Sequence, residues 1–261
     1  MQLVLAPLEY LHEDIVTALQ RPALEAWIRA LLLPLIHELG LDPVPGEDPD
    51  RAELRNSVMY TLGQSGDPQI LGHARQVLNG YMRDAASVPP DQVPIAFNLL
   101  SRRGDAALYE QFVAGRKAAK TPAEFYRYQN ALANFRDPAL VKHTLEFAMS
   151  AEVRSQDMPR LIFAEFSNPA GRDQAMEFLK AHFAEIRRRS ISQLGNGFGG
   201  VVGDYCEVAK RDAARRFFET MATAGEERGL KLGVEQSSAC INFKNQQAEN
   251  LKHWLKTHPG A

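Results

Sequence analysis

Four aspartates recur through the middle of the chain at intervals close to the length of a helical hairpin. Each follows Gly or Arg and precedes an apolar segment with helical periodicity. The intervals are 38, 32 and 36 residues, and the positions are Asp67, Asp105, Asp137 and Asp173. An aspartate before a helix accepts a free backbone N–H, and its charge suits the positive helix end. The pattern therefore predicts four helix N-caps.

A second apolar segment with the same periodicity lies ahead of each aspartate. These first helices of each pair are predicted at 54–62, 93–100, 125–135 and 158–166. No alternating run is long enough for a strand, so we predict an all-α fold. Repeats of 32 to 38 residues without tetratricopeptide consensus residues favour an α-solenoid, a superhelix of HEAT-like antiparallel helix pairs.

The pattern predicts one helical domain, residues 1–261, in three parts. Residues 1–40 are expected to form entry helices, residues 51–185 the helical-hairpin repeats, and residues 186–261 the closing helices. A loop rich in proline and acidic residues, 40–50, separates the first two parts. The individual entry helices are expected at 3–20 and 22–39, and the closing helices at 204–224 and 234–257.

Composition argues against several classes of protein. Apolar residues make up 45% and charged residues 24% of the chain, which is typical of a folded globular protein. A net charge of −2 gives no global basic field, so we expect no nucleic acid partner. The longest uncharged apolar run, 30–37, is far shorter than a membrane span, and no secretory signal pattern follows Met1. We therefore expect no membrane partner.

The two His-Glu pairs lack the spacing of a zinc peptidase. His-Glu-x-x-His places two imidazoles on adjacent helical turns around one metal, with the Glu serving as base. After His12-Glu13 and His37-Glu38, the positions of the second histidine hold Val16 and Leu41. We therefore predict no metal ligands and no catalytic residues in this chain.

Three further motifs are interpreted as structural. Gly195 to Gly200 form a literal Gly-x-Gly-x-x-Gly, but a helical segment precedes it where a dinucleotide site needs a strand, so we expect an interhelical loop. Arg187 to Arg189 are expected to complement a helix C-terminus, with an anion site as the alternative. Two cysteines are too few for a disulfide framework, and we expect Cys206 and Cys240 to be small buried side chains.

One segment in the second half of the chain resembles a known family. It reads Val-Arg-x-Gln-Asp at 153–157 and Asn-Pro-Ala-Gly-Arg at 168–172. It is similar to the helical C-terminal domain of the aminopeptidase N and endoplasmic-reticulum aminopeptidase family of zinc exopeptidases. Members read roughly Arg-x-Gln-Asp, then Asn-Pro-x-Gly-Arg-x-x-Ala-Trp-x-Phe-x-x-x-Asn-Trp. The sequence departs from this pattern at Met176, His182 and Phe183, where the family has Trp, Asn and Trp.

The resemblance covers roughly residues 8–257 and implies one HEAT-like stack. Supporting matches are Leu39-Gly40, Gly46-Glu47-Asp48, Leu54-Arg55 and Phe217-Phe218. In the family this domain closes over the zinc catalytic domain and contacts the distal part of the peptide substrate. The resemblance thus implies a substrate-enclosing, peptide-binding domain that is not catalytic by itself, with an aminopeptidase catalytic domain and a peptide as partners. No cofactor is expected here, because zinc belongs to the catalytic domain.

Four polar residues of the motif are candidates for substrate contact: Arg154, Gln156, Asn168 and Arg172. Arginine suits a carboxylate because its planar fork donates two parallel hydrogen bonds. The structural alternative is that these residues tie helices together, with Arg172 binding carbonyls and Arg154 pairing with Asp157 or Glu152. An alternative function is a stand-alone α-solenoid scaffold that binds another protein. An independent enzyme is a third, for which no nucleophile, base and orienting group can be named.

Overall fold

The computed structural model describes residues 2–190, 198–221 and 224–258. None of them lies in a β-strand, which confirms the all-α prediction, and no described helix has the length and apolar character needed to cross a membrane. The helices are α1 (Gln2–Tyr10), α2 (Arg21–Leu39), α3 (Pro49–Gln64), α4 (Pro68–Arg83), α5 (Val93–Ser101), α6 (Ala106–Ala118), α7 (Pro122–Leu132), α8 (Pro138–Met149), α9 (Met158–Ser167), α10 (Arg172–Ser190), α11 (Val208–Thr220) and α12 (Ala224–Thr257).

The four predicted helix pairs are present as α3–α4, α5–α6, α7–α8 and α9–α10. Three of the four predicted aspartate caps are confirmed. The backbone N–H donors and their distances are Ile70 to Asp67 at 3.0 Å, Leu108 to Asp105 at 3.0 Å and Ala139 to Asp137 at 2.8 Å. Each carboxylate satisfies an N–H that has no partner within its helix. The α-solenoid arrangement of the pairs stays a prediction.

The fourth predicted cap, Asp173, is wrong. Helix α10 begins at Arg172, so Asp173 lies in its first turn. The turn before it is closed by Asn168, whose carbonyl accepts from the N–H groups of Gly171 at 2.9 Å and Arg172 at 3.0 Å. This turn starts the helix one residue before Asp173. The carboxylate of Asp173 instead accepts a hydrogen bond of 2.8 Å from Lys210 Nζ.

Three terminal helices differ from their predicted extent. The closing helix expected at 204–224 is shorter, because α11 spans Val208–Thr220. The helix expected at 3–20 changes to a π-helical turn at Leu11–Ile15 and ends there, because Val16 has an extended backbone. The closing helix expected to begin at residue 234 begins at Ala224. The residue before the predicted start, Gly233, lies inside α12.

Gly233 lets α12 approach a 3-10 turn formed by Gly199–Asp204. A Cβ built at residue 233 would lie 2.8 Å from the carbonyl oxygen of Gly200 and 3.0 Å from that of Gly199. These are backbone atoms, which cannot rotate away as a side chain could. Gly199 and Gly200 lie between α10 and α11, as expected, but in a 3-10 turn rather than an irregular loop; Gly195 to Gly197 lie outside the described residues.

We expect Gly233→Ala to lower the free energy of unfolding by about 1–3 kcal/mol, the usual cost of forcing a methyl group into packed surroundings. Gly72→Ala is the matched control, because Gly72 is an exposed helical glycine with no atom within 4 Å of a built Cβ. That variant should gain about 0.4–1 kcal/mol from the reduced freedom of its unfolded chain. Urea unfolding followed by circular dichroism measures both changes. Changes of the same sign in the free energy of unfolding of the two variants would contradict the close approach of Gly233 to the 3-10 turn.

The described residues fall into two compact units. The first draws on the described residues within 1–104, 110–131 and 248–261, and the second on those within 105–109 and 132–247. Aromatic rings fill the core of each unit at distances typical of attractive ring pairs. Examples are Phe97–Phe112 in the first unit, with ring centroids 4.8 Å apart, and Phe163–Phe198 in the second, with centroids 4.5 Å apart. The prediction of a single domain stays a prediction.

Cys206 and Cys240 form a disulfide bond in the second unit, with their Cα atoms 5.3 Å apart. Both residues are buried, as expected, but the expectation of two separate small side chains is wrong. The bond joins the end of the 3-10 turn region to α12 across 34 residues of sequence. Only the approach of α12 to that turn brings the two sulfur atoms together.

Candidate functional site

Asn168 ends α9 and is engaged within the protein. Its amide Nδ2 donates to the carbonyl oxygens of Ala133 at 3.2 Å and Phe135 at 2.8 Å. Its Oδ1 accepts from the N–H of Ala170 at 3.2 Å, and the residue is buried. Asn168 therefore ties the α9–α10 turn to the connection between α7 and α8. Two backbone carbonyls accept from this amide and Glu165 Oε2 is a third acceptor at 3.4 Å, as the structural alternative expects. Contact of Asn168 with a substrate stays a prediction.

Arg172 begins α10 and binds the end of the preceding helix. Its Nε donates a hydrogen bond of 2.8 Å to the carbonyl oxygen of Phe166, one of the last carbonyls of α9. Such carbonyls have no partner within their own helix. The hydroxyl of Tyr205 in turn donates to the carbonyl of Arg172 at 3.3 Å. Arg172 thus stabilises the turn between α9 and α10, and its contact with a substrate stays a prediction.

Arg154 and Gln156 lie at the other end of α9, in the turn before it, and both are exposed. Helix α9 has ten residues, so it holds these two side chains about 15 Å from the turn at its C-terminus. The four candidates therefore form two separate pairs: Arg154 and Gln156 are exposed, whereas Arg172 is half-buried and Asn168 is buried. Contact of these residues with a substrate stays a prediction.

The upstream matches of the resemblance also have a structural role. Arg55 in α3 is fully buried, and its NH1 donates to Glu47 Oε2 at 2.7 Å while NH2 binds the other carboxylate oxygen. The hydrogen bonds from Arg55 hold the pKa of Glu47 below its ordinary value. A buried arginine with a two-pronged carboxylate partner fixes the acidic loop against α3.

Glu165 is a buried carboxyl group that the sequence analysis did not single out. It is fully buried on α9, its Oε2 lies 3.4 Å from Asn168 Nδ2, and its Oε1 has no hydrogen-bond partner among the described residues. Burial raises the pKa of Glu165 to about 9, so the group is protonated at neutral pH. The signal was present in the sequence, because Glu165 is the one charged residue in the apolar run 161–166.

A polar cluster in the first unit joins α1, α3 and α5. The hydroxyl of Tyr60 lies 3.2 Å from Glu9 Oε1 and 3.2 Å from Asn98 Oδ1. Gln64 Nε2 donates to the same oxygen of Glu9 at 2.8 Å. Burial raises the pKa of Tyr60 to about 12, so its ring stays neutral. No sequence spacing pointed to this cluster, since its members come from three helices.

His12 lies beside two carboxylates that do not form a metal site. Its Nδ1 is 3.2 Å from Glu13 Oε1 and its Nε2 is 2.8 Å from Glu25 Oε1, while Arg102 NH1 donates to Glu13 at 3.2 Å. The carboxylates approach opposite ring nitrogens, so the three groups do not converge on one point. Within the described ranges no three His, Cys, Asp or Glu side chains are placed to hold a metal ion.

A family model and several proteins named aminopeptidases match this chain. The family model described as the ERAP1-like C-terminal domain matches residues 1–239. Aminopeptidase M1 of Arabidopsis thaliana is 27% identical over 217 residues, which cover 79% of this chain and 24% of that protein. The mitochondrial Aminopeptidase 2 of Saccharomyces cerevisiae is 20% identical over 238 residues, which cover 90% of this chain and 25% of that protein.

An Aminopeptidase N of Lactococcus lactis subsp. cremoris is 24% identical over 214 residues, with 80% of this chain and 25% of that protein covered. The chain thus spans about a quarter of the length of these relatives. The family match covers most of the chain and agrees with the all-helical fold. The chain therefore belongs to the family of ERAP1-like C-terminal domains.

Proposed function

We propose that this chain is the substrate-enclosing, peptide-binding C-terminal domain of a zinc aminopeptidase and is not catalytic by itself. The observation that carries the proposal is the family match over residues 1–239, together with relatives named aminopeptidases of which only about a quarter is matched. A helical wall of this kind would act by shape and charge, admitting extended peptides to the catalytic domain and excluding folded proteins. Zinc would be bound by the catalytic domain.

The contacts of the motif residues suggest two roles within this proposal, one structural and one in contact with the substrate. Asn168 and Arg172 bind backbone carbonyls and hold the α9–α10 turn, which suits a structural role. Arg154 and Gln156 are exposed before α9, where their side chains can reach a ligand. An arginine at that place would pair with the carboxylate of a peptide's distal end. Arg154 is therefore the stronger candidate for substrate contact.

The test joins the chain to the catalytic part of its zinc aminopeptidase and replaces Arg154 by Ala. We expect kcat/KM for a nine-residue peptide to fall about fivefold to tenfold, the size of one charge-assisted hydrogen bond. Turnover of a short aminoacyl reporter and the melting temperature should stay unchanged, because neither depends on the distal contact. Arg160→Ala is the matched control, since Arg160 is an exposed arginine on the neighbouring α9.

An equal fall in kcat/KM for the peptide and for the reporter would show that Arg154 does not contact the distal end of the peptide. If the chain neither associates with the catalytic part nor changes its preference for peptide length, the proposal fails and the stand-alone scaffold becomes the better hypothesis. Arg172→Ala is expected to lower the melting temperature instead, because it removes the hydrogen bond to Phe166.

A further inference from the structure

A groove in the first unit runs between α3 and the start of α5. It has a volume of about 550 Å³, within the range of roughly 300–1,000 Å³ usual for ligand pockets. Its apolar lining comes from Pro49, Ala52 and Ile95. Tyr60 also lines it. The groove is therefore large enough for one long side chain and the peptide backbone on either side of it.

The ionisable lining of the groove, apart from the neutral ring of Tyr60, is acidic. Glu53 and Asp91 line it, and both are exposed. Asn56 Nδ2 donates to Asp91 Oδ2 at 2.6 Å, which orients that carboxylate at the groove. Because a carboxylate can only accept, the amide nitrogen of Asn56 must face it. Arg55 of α3, whose pKa is raised chiefly by its bonds to Glu47 and in part by the charge of Asp91, is bound to both oxygens of Glu47.

Tyr60 can present its ring to a ligand, because its hydroxyl is bound within the protein. The hydroxyl is held by Glu9 and Asn98, both at 3.2 Å. A neutral tyrosine ring attracts a cation placed over its face. The groove thus combines an aromatic wall, an apolar floor and two carboxylates. These suit a long apolar stem that ends in a planar cation with several N–H donors, which is the chemistry of an arginine side chain.

We propose that this groove binds an arginine side chain of a peptide. The guanidinium group donates to the carboxylates of Asp91 and Glu53 and lies against Tyr60, and its stem packs on Ala52 and Ile95. The inference rests on the proposed function in one respect, namely that the ligand is a peptide. The inference adds a preference for a basic residue in the peptide, which the proposed contact at Arg154 does not imply.

The experiment titrates the chain with acetyl-Ala-Arg-Ala-amide and with the same peptide carrying citrulline, and follows backbone amide signals by NMR. Citrulline has the shape of arginine without its charge. We expect about tenfold tighter binding of the arginine peptide, as for a charge-assisted contact. The shifted signals should belong to residues 49–60 and 91–95. Asp91→Asn should weaken binding of the arginine peptide about tenfold and leave the fold intact, since Asp91 is exposed.

Glu110→Gln is the matched control, because it removes one exposed charge from the same unit away from the groove. It should leave the affinity unchanged. Equal affinity for the two peptides, or an unchanged affinity in Asp91→Asn, would overturn the inference while leaving the proposed function standing. Absence of any binding would also overturn it, and the proposed function would then be judged by peptide length dependence in the rejoined enzyme.

Discussion

Glu165→Gln is expected to stabilise the protein at pH 8 by about 4 kcal/mol and to change its stability at pH 5 by less than about 1 kcal/mol. Burial raises the pKa of Glu165 to about 9 in the folded protein, against an ordinary value of 4.5. Between these two values the folded state holds one proton more than the unfolded state. The stability of the wild type therefore falls by about 1.4 kcal/mol for each pH unit within this window.

The direction of the effect follows from the raised pKa. The contribution of the protonated carboxyl is fully present below pH 4.5 and is lost as the pH rises towards 9. Glutamine has the same shape and stays neutral, so it removes this dependence and keeps a partner for Asn168 Nδ2. At pH 8 the melting temperature of the variant should be about 10 °C higher.

Urea unfolding from pH 5 to pH 9 measures the difference between wild type and variant at each pH. Glu146→Gln is the matched control, because Glu146 is an exposed glutamate on α8 that pairs with Lys142, one helical turn away. That variant should give a curve parallel to the wild type. A parallel curve for Glu165→Gln as well would show that Glu165 is ionised in the folded protein.

Removing the Cys206–Cys240 bond is expected to lower the free energy of unfolding by about 2–4 kcal/mol. The bond closes a segment of 34 residues, and opening it returns conformational freedom to the unfolded chain. The bond also fixes α12 beside the 3-10 turn that Gly233 approaches. The double variant Cys206→Ala, Cys240→Ala should therefore unfold at a lower urea concentration than the wild type.

A reductant provides the internal control for this prediction. It should destabilise the wild type to nearly the level of the double variant and have no effect on the double variant itself. Thiol titration of the unfolded wild type without reductant should find no free thiol, since the chain has two cysteines and both are bonded. Two titratable thiols in that assay would contradict the bond.

Local patterns predicted the helix pairs well because their causes are local. An apolar period of 3.6 residues and a carboxylate before the first turn act within one helix, so Asp67, Asp105 and Asp137 could be placed from sequence. Asp173 failed because the backbone turn at Asn168 competes for the start of α10. The predicted start of the last helix at residue 234 was wrong because α12 begins at Ala224 and Gly233 packs inside it against the 3-10 turn.

The motif residues were located by sequence but their partners were not. Asn168 binds carbonyls of Ala133 and Phe135, more than thirty residues away. Nothing in a local pattern states which carbonyls will be left without partners at a distant helix end. The sequence could therefore single out Asn168 and Arg172 as candidates without distinguishing a structural role from contact with a substrate. The exposure of Arg154 is what separates it from them.

By itself, the sequence determined the helix pairs, three of their caps and the resemblance that the family match supports, because periodicity, capping and motif spacing are written in neighbouring residues. Only the tertiary structure decided the Cys206–Cys240 bond, the burial of Glu165 and the groove between α3 and α5. Each depends on which helix faces touch across long stretches of chain. That pairing is set by packing of whole surfaces, in which no single residue or spacing carries the information.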